Sequence, residues 1–190
     1  MKTLKHIVLT ALMLTALNGY STEIEIVSSA SVTTLQFSNV KKGQQITIKD
    51  NSNITLYKEV VAGNGTYAKR FDLTALENGT YFIELSKDCE IIVKSFTIQG
   101  NRVRFIQDSE YKIFKPTVRL DNEHLIVSQL SLTNAPLNVE LYYNGVLIHT
   151  DIITGATILN RVYQLSASQK GAYTVVMNTG DRNFVQNFTI

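Results

Sequence analysis

The chain has 190 residues, 44% of them hydrophobic, with 18 basic and 16 acidic side chains and one cysteine. This length suits either one large sandwich or two small domains, and one cysteine excludes an internal disulfide. The formal net charge is only +2. The sequence shows no basic face or stripe of the kind that nucleic-acid binders carry, so we predict no nucleic-acid partner.

The first segment is typical of an export signal. Lys2 and Lys5 precede a short apolar stretch, and the small residues Gly19 and Ser21 stand at the −3 and −1 positions before Thr22. The stretch is shorter than the roughly 20 residues that span a bilayer. We therefore predict a signal peptide over residues 1–21 and a secreted, periplasmic or cell-surface protein. No stable membrane insertion is expected after cleavage, which leaves 16 basic and 16 acidic side chains.

After the signal, the chain has the alternation of β-strands and no sustained helical period. Tyr81, Ile83 and Leu85 alternate with Thr80, Phe82 and Glu84, which predicts a strand with one buried face. Turn sequences separate such runs, and Asn144-Gly145 is the clearest, since both central residues of a type I′ turn need positive φ. Many short strands with regular turns favour sandwiches or barrels over βαβ units.

Two segments of the chain match each other without a gap. Residues 71–98 align with residues 163–190 at an offset of 92, so that Tyr81 matches Tyr173, and both segments end in Phe-Thr-Ile. An internal match of this length predicts two copies of one module.

Upstream of this block the alignment uses a different offset. Residues 54–57 resemble residues 139–142 at an offset of 85, which predicts seven extra residues in the second copy. We expect this insertion, over residues 146–159, to form a surface loop where function could reside.

The predicted organisation has four parts. A signal peptide (1–21) precedes a first β-sandwich module (22–100), a connector (101–115) and a second module (116–190). The connector carries Val103, Phe105 and Ile106, which are too apolar for a free linker, so we expect it to be packed or to form a strand.

The segment Leu76-Glu-Asn-Gly-Thr-Tyr81, followed by a strand and Lys94-Ser-Phe96, resembles the immunoglobulin-like sorting domains at the C-termini of Bacteroidetes proteins exported by the type IX system. It also resembles small secreted Bacteroidetes proteins of unassigned function. The resemblance implies tandem immunoglobulin-like antiparallel β-sandwiches, and as an alternative function an accessory or sorting role in type IX secretion. The second copy has Ala167-Ser168 where the pattern has Leu.

No residues form a recognisable catalytic, cofactor or metal set. His124 and His149 lack Cys, Asp or Glu at ligand spacing, and no Gly-x-Ser-x-Gly accompanies them, so a hydrolase is the weakest alternative. Cys89 has acidic neighbours that disfavour a thiolate. Asp50-Asn-Ser-Asn53 lacks the Gly and Glu of a calcium loop, which leaves only a calcium site built from distant loops open.

A contact surface is the remaining candidate. Tyr142 and Tyr143 are adjacent in a predicted strand and must point to opposite faces, so one of them should be exposed. Together with His149 they are the candidate contact residues. We predict a non-enzymatic envelope protein without cofactors that binds an unidentified protein or glycan or has a structural role.

Overall fold

The computed structural model describes residues 24–29 and 32–190, so the predicted signal peptide lies outside the described residues. Sixteen strands and one 3₁₀ turn, Leu73–Ala75, make up the described regular structure. The strands are β1 (Ile24–Ser29), β2 (Val32–Val40), β3 (Gln45–Asp50), β4 (Thr55–Val60), β5 (Gly65–Phe71), β6 (Gly79–Ser86), β7 (Glu90–Gln99), β8 (Arg102–Phe105), β9 (Tyr111–Phe114), β10 (Thr117–Asp121), β11 (His124–Leu130), β12 (Leu137–Tyr143), β13 (Val146–Ile153), β14 (Ile158–Gln164), β15 (Ala172–Thr179) and β16 (Arg182–Thr189). The predicted all-β, antiparallel class is confirmed.

The first nine strands enclose one hydrophobic cluster. Sheet A has the order β1-β2-β5, and sheet B has the order β4-β3-β6-β7-β8, with β9 also paired to β7. Alternate side chains of both sheets fill the space between them, as period-2 burial requires. The fully buried members include Leu35, Phe37, Ile83, Leu85, Ile92 and Phe96.

The last seven strands enclose a separate cluster. Sheet C has the order β10-β11-β14, and sheet D has the order β13-β12-β15-β16. Its most buried members are Leu125, Val127, Leu137, Val139, Leu159, Tyr173, Val175 and Met177. The pairing order of β1 to β7 thus recurs in β10 to β16, while the division into two modules at the expected boundaries stays a prediction.

Specific contacts also recur at the offset of 92. Tyr81 stacks on Phe96 with ring centroids 5.3 Å apart, and Tyr173 stacks on Phe188 at the same separation. The Tyr81 hydroxyl donates to the carbonyl of Glu77 at 2.8 Å. In the same way the Tyr173 hydroxyl donates to the carbonyl of Gln169, also at 2.8 Å. Each tyrosine thus ties the start of its strand to the preceding turn, the arrangement called a tyrosine corner in sandwich folds.

The upstream part of the sequence alignment is wrong. Residues 54–57 lie at the start of β4, which forms the edge of sheet B, whereas residues 139–142 lie in β12, which is internal to sheet D. The pairing order matches β4 with β13 instead. The expected insertion is therefore absent, and residues 146–159 form β13, a tight connection and the start of β14. Short apolar-polar runs in β-rich chains align by composition, which explains the false match.

The turn at Asn144-Gly145 has the geometry that its sequence predicts. Asn144 has φ +48° and Gly145 has φ +81°. Tyr143 pairs with Val146 across this turn, so β12 and β13 form a two-residue hairpin. Positive φ at both positions is the requirement of a type I′ turn.

Residues 101–115 add two strands to sheet B. β8 pairs with the second half of β7, and β9 pairs with its first half, with Val93 opposite Tyr111. The main-chain nitrogen of Lys115 donates to the carbonyl of Cys89 at 2.8 Å. This segment is therefore held against sheet B over most of its length, and Val103 and Phe105 pack on the first cluster.

A buried ion pair joins sheet B to the start of β16. The Glu84 side chain on β6 is only 5% exposed, and the Arg182 guanidinium donates to both of its carboxylate oxygens, one of them at 2.9 Å. Lys49 on β3 lies 3.2 Å from the same carboxylate. Strand alternation places Glu84 on the outer face, and it is buried there because Arg182 covers it.

Candidate functional site

The structure places the three predicted contact residues at one end of sheet D. Tyr143 packs against the second cluster, its ring centroid 5.0 Å from that of Tyr173, and its hydroxyl donates to the carbonyl of Lys170. Tyr142 is half-buried and donates its hydroxyl to Glu140 at 2.6 Å. His149 is exposed on β13, opposite Leu141 of β12.

The other residues considered from sequence do not assemble into a site. His124 and Cys89 are exposed, at the start of β11 and in the β6–β7 turn respectively. The Asp50 carboxylate accepts hydrogen bonds from the main-chain nitrogens of Ser52 and Ile54, so this segment is a capped polar turn. Within residues 24–29 and 32–190, no three His, Cys, Asp or Glu side chains are grouped as metal ligands would be.

β13 and β14 are neighbouring edge strands. β13 ends sheet D and β14 ends sheet C, so each has one side that carries no further strand of its sheet. We call the pair the β13–β14 edge. Unpaired main-chain donors and acceptors on such strands can accept another strand, and proteins usually protect them with charge, proline or a bulge.

Side chains bridge the two strands of this edge. The Arg161 guanidinium lies 2.8 Å from Asp151 Oδ2, and the Tyr163 hydroxyl donates to the same oxygen at 3.1 Å. His149 meets the Tyr163 ring edge-on, with centroids 5.3 Å apart. Burial, and then the neighbouring Asp151 carboxylate, raises the pKa of the Tyr163 hydroxyl, so this group stays protonated.

The same bridging contacts occur at β4 and β5. Lys69 forms an ion pair with Glu59 there, and Tyr57 meets Phe71 edge-on with centroids 5.0 Å apart. These four residues precede Arg161, Asp151, His149 and Tyr163 by 92 positions. His149 thus takes the place of an edge tyrosine, which favours a packing role over an acid–base role.

The edges differ in what surrounds these shared contacts. At the offset of 92, Leu147, Thr150, Ile158 and Val162 of the β13–β14 edge stand where β4 and β5 carry Thr55, Lys58, Thr66 and Arg70. The three apolar residues of this set are exposed, and the exposed fraction is 70% for Ile158 and 52% for Val162. At Leu147, Ile158 and Val162 the second half thus carries apolar side chains where the first half is polar or charged, whereas the exposed Val146, Ile148 and Ile152 match the equally apolar and exposed Ile54, Leu56 and Val60.

Further exposed apolar side chains extend the β13–β14 edge. Val146, Ile148 and Ile152 are all at least 45% exposed, and Ile148 lines a groove with Val162, His149 and Tyr163. The groove has a volume of about 390 Å³. Clusters of exposed aliphatic side chains are typical of surfaces that contact other proteins.

From the sequence we expected function in residues 146–159 and named His149, but the exposed aliphatic side chains of this edge were not singled out. The signal was present in the offset of 92, because extending it upstream from residue 163 aligns Val162 with Arg70 and Thr150 with Lys58. The false match of residues 54–57 with residues 139–142 prevented this extension, and so the difference between the two edges was not recognised.

Comparisons with known proteins give no assignment. No family model matches the chain, and no curated protein matches it. Among solved structures, the BSP domain of a biofilm-associated protein has 13% identity and a TM-score of 0.29 over 88% of this chain, which spans only 29% of that one. The human OSCAR ligand-binding domain has 12% identity and a TM-score of 0.27, with coverage of 89% and 97%.

A third structure, native alpha-2-macroglobulin from Escherichia coli spanning domains MG0-NIE-MG1, has 14% identity and a TM-score of 0.24. The match covers 88% of this chain and 70% of the macroglobulin chain. These scores carry no functional argument, and the likeness to type IX sorting domains stays a prediction. The described residues contain no helix long and apolar enough to cross a bilayer.

Proposed function

We propose that the chain is an exported, non-enzymatic binding protein with two copies of one sandwich module, and that it docks another protein at the β13–β14 edge. The proposal depends on the exposed Leu147, Ile158 and Val162, which stand where the matched β4 and β5 carry two threonines and an arginine. The recurring strand order and tyrosine corners support the two-copy organisation.

A protein partner fits this surface better than a glycan. Exposed Ile, Leu and Val offer no hydrogen bonds to sugar hydroxyls and no flat ring for stacking. The aromatic candidates are engaged, since Tyr142 donates to Glu140 and the Tyr143 ring packs at a tilt against that of Tyr173. The hydrogen bond from Tyr142 also raises the pKa of its hydroxyl.

The test exchanges one edge for the other. In a variant with Leu147→Thr, Ile158→Thr and Val162→Arg, the β13–β14 edge carries the residues of the matched β4 and β5, which fold on an equivalent backbone. We expect the wild-type chain to retain specific proteins from an extract of its native envelope and the triple variant to lose them, with an unchanged melting temperature. The matched control is Thr55→Leu with Arg70→Val, which should retain the same proteins as wild type.

Equal retention by the wild type and the triple variant would refute docking at this edge. If the wild-type chain retains only glycans, the partner is a sugar and not a protein. Export is tested separately, by N-terminal sequencing of the protein from the extracytoplasmic fraction. The expected first residue is Thr22, and an intact Met1 would contradict the proposed signal peptide.

A further inference from the structure

β16 forms the edge of sheet D opposite to β13, and the described residues place no strand on its far side. The strand that matches β16 at the offset of 92 is β7, which is covered on that side. There β8 pairs with the second half of β7, and β9 pairs with its first half. The same strand of the repeated scaffold is therefore internal in the first half of the chain and an edge in the second.

The aromatic side chain of β16 that stacks in the second cluster is less buried than its match on β7. The Phe96 ring is fully buried, and its centroid lies 5.5 Å from that of Phe105, its cross-strand partner on β8. Phe188, which matches Phe96, packs on the second cluster but is only partly buried. An aromatic side chain thus closes the first cluster at a position that stays open in the second.

The neighbouring inward-facing position shows the same difference. Ile98 is buried and stands opposite Val103 of β8, which packs on the first cluster. Ile190, which matches Ile98, is again only partly buried. The second cluster is therefore open along β16 at two successive inward-facing positions, and burial of both would be favourable in proportion to the apolar area removed from water.

The main chain of β16 can pair with a further strand. Ile190 directly follows β16, and its nitrogen and carbonyl both form hydrogen bonds with Gly171, each 3.1 Å long. Because successive residues of an antiparallel strand direct these groups to opposite sides, those of Thr189 point away from β15. The matched Thr97 lies opposite Arg104 of β8. The groups that β8 engages in the first half thus point away from the sheet in the second.

β16 also lacks the features that usually prevent strand addition at an edge. From Asn183 to Thr189 it carries no charged side chain and no proline, and its pairing with β15 has no register shift. By contrast, β13 carries Asp151 and β4 carries Lys58, and both strands have a register shift in their pairing. Charge, proline and bulges are the usual protections of an edge, so β16 is open to an extended segment of another chain.

From these observations we infer that β16 binds an extended segment of another protein by antiparallel strand addition, in the register that β8 adopts on β7. The segment carries two apolar residues two positions apart, the second of them aromatic, as Val103 and Phe105 are on β8. In the matched register the first stands opposite Ile190 and the aromatic one opposite Phe188. Main-chain hydrogen bonds supply affinity in this mode of recognition, and the alternate side chains supply specificity. This site is separate from the β13–β14 edge, which lies at the other side of sheet D.

The first test uses the chain's own covering strand as the probe. A fluorescently labelled peptide with the sequence of residues 100–107 is titrated with the purified full chain, and binding is followed by fluorescence anisotropy. We expect saturable binding. A peptide with Val103→Ser and Phe105→Ser should have a dissociation constant at least about tenfold higher, because both apolar contacts are lost.

The second test removes one hydrogen-bond donor from the β16 edge. Thr189→Pro deletes a main-chain donor that points away from β15, so sheet D stays paired while the added strand is blocked. We expect the dissociation constant of the peptide to rise by at least about tenfold. Thr189→Ala keeps this donor and is the matched control, which should bind like wild type. Thermal unfolding checks that both variants are folded.

Hydrogen exchange locates the bound peptide on the wild-type chain. We expect the amides of Asn187 and Thr189 to exchange rapidly in the unbound chain and to become protected when the peptide is added, because the new strand pairs with them. The amide of Thr97, which already lies opposite Arg104, should be protected with and without the peptide.

The absence of saturable binding up to about 1 mM peptide overturns the inference. Binding that Thr189→Pro leaves unchanged, or that protects amides of another strand instead of β16, overturns it as well. The triple variant Leu147→Thr, Ile158→Thr and Val162→Arg should bind the peptide as tightly as wild type, so failure at one edge of sheet D is distinguished from failure at the other.

Discussion

At the scale of single residues, matched positions of the two halves differ in how tightly they are packed. A Cβ added to Gly79 would lie 3.6 Å from the Tyr81 ring, an ordinary contact. A Cβ added to Gly171, 92 residues later, would lie 2.9 Å from the side-chain oxygen of Asn144 and 3.0 Å from the Tyr143 ring. That Asn144 oxygen cannot move freely, because it accepts a hydrogen bond from the main chain of Ala172.

Alanine at these glycines should therefore have effects of opposite sign. Gly79→Ala should raise the free energy of unfolding by about 0.5 kcal/mol, because alanine lowers the entropy of the unfolded chain. Gly171→Ala should lower it by about 1–2 kcal/mol through overpacking. Urea unfolding of both variants beside wild type checks this, and equal effects would show that the two turns are packed alike.

At the scale of elements, the tyrosine corners hold the central strands β6 and β15 to the turns before them. Each hydroxyl donates to a main-chain carbonyl four residues upstream, while the ring stacks on a phenylalanine of the next strand. The ring supplies buried apolar area, and the hydroxyl fixes the path of the turn.

Removing only the hydroxyl separates these two contributions. Tyr81→Phe and Tyr173→Phe should each lower the free energy of unfolding by about 1 kcal/mol, the usual net value of one such hydrogen bond. Tyr142→Phe, which removes a hydrogen bond on the outer face of sheet D, should cost less because water replaces the lost partner. A smaller loss at Tyr173 than at Tyr142 would contradict a structural role for the second corner.

At the scale of the whole molecule, the Glu84–Arg182 pair connects two regions 98 residues apart. Burial raises the pKa of the Glu84 carboxyl, but Arg182 and Lys49 outweigh burial and hold that pKa below its ordinary value of 4.5. A carboxyl whose pKa is lower in the folded than in the unfolded state binds fewer protons when folded. Its stabilisation is therefore complete above the unfolded pKa and is lost as pH falls through the folded pKa.

This gives a prediction for acid unfolding. Glu84→Gln should lower the free energy of unfolding at neutral pH by about 3 kcal/mol, because it leaves the mostly buried Arg182 with only the exposed Asp181, 3.3 Å away, as a counter-charge. The variant should also lose less stability than wild type as pH falls below 4.5, since the group that titrates has been removed. Glu77→Gln, at an exposed turn, serves as the matched control. Parallel profiles of wild type and Glu84→Gln would show that the ion pair does not control acid stability.

The sequence by itself determined the all-β class, the type I′ hairpin at Asn144-Gly145 and the correspondence of Tyr81 with Tyr173. These depend on local conformational preference and on period-2 burial, which act over a few residues. The burial of Glu84 and the character of the β13–β14 edge were decided only by the tertiary structure. Strand alternation assigns each side chain to a face, but the chain path determines whether another segment, such as Arg182, covers that face or whether Ile158 and Val162 remain exposed at an edge.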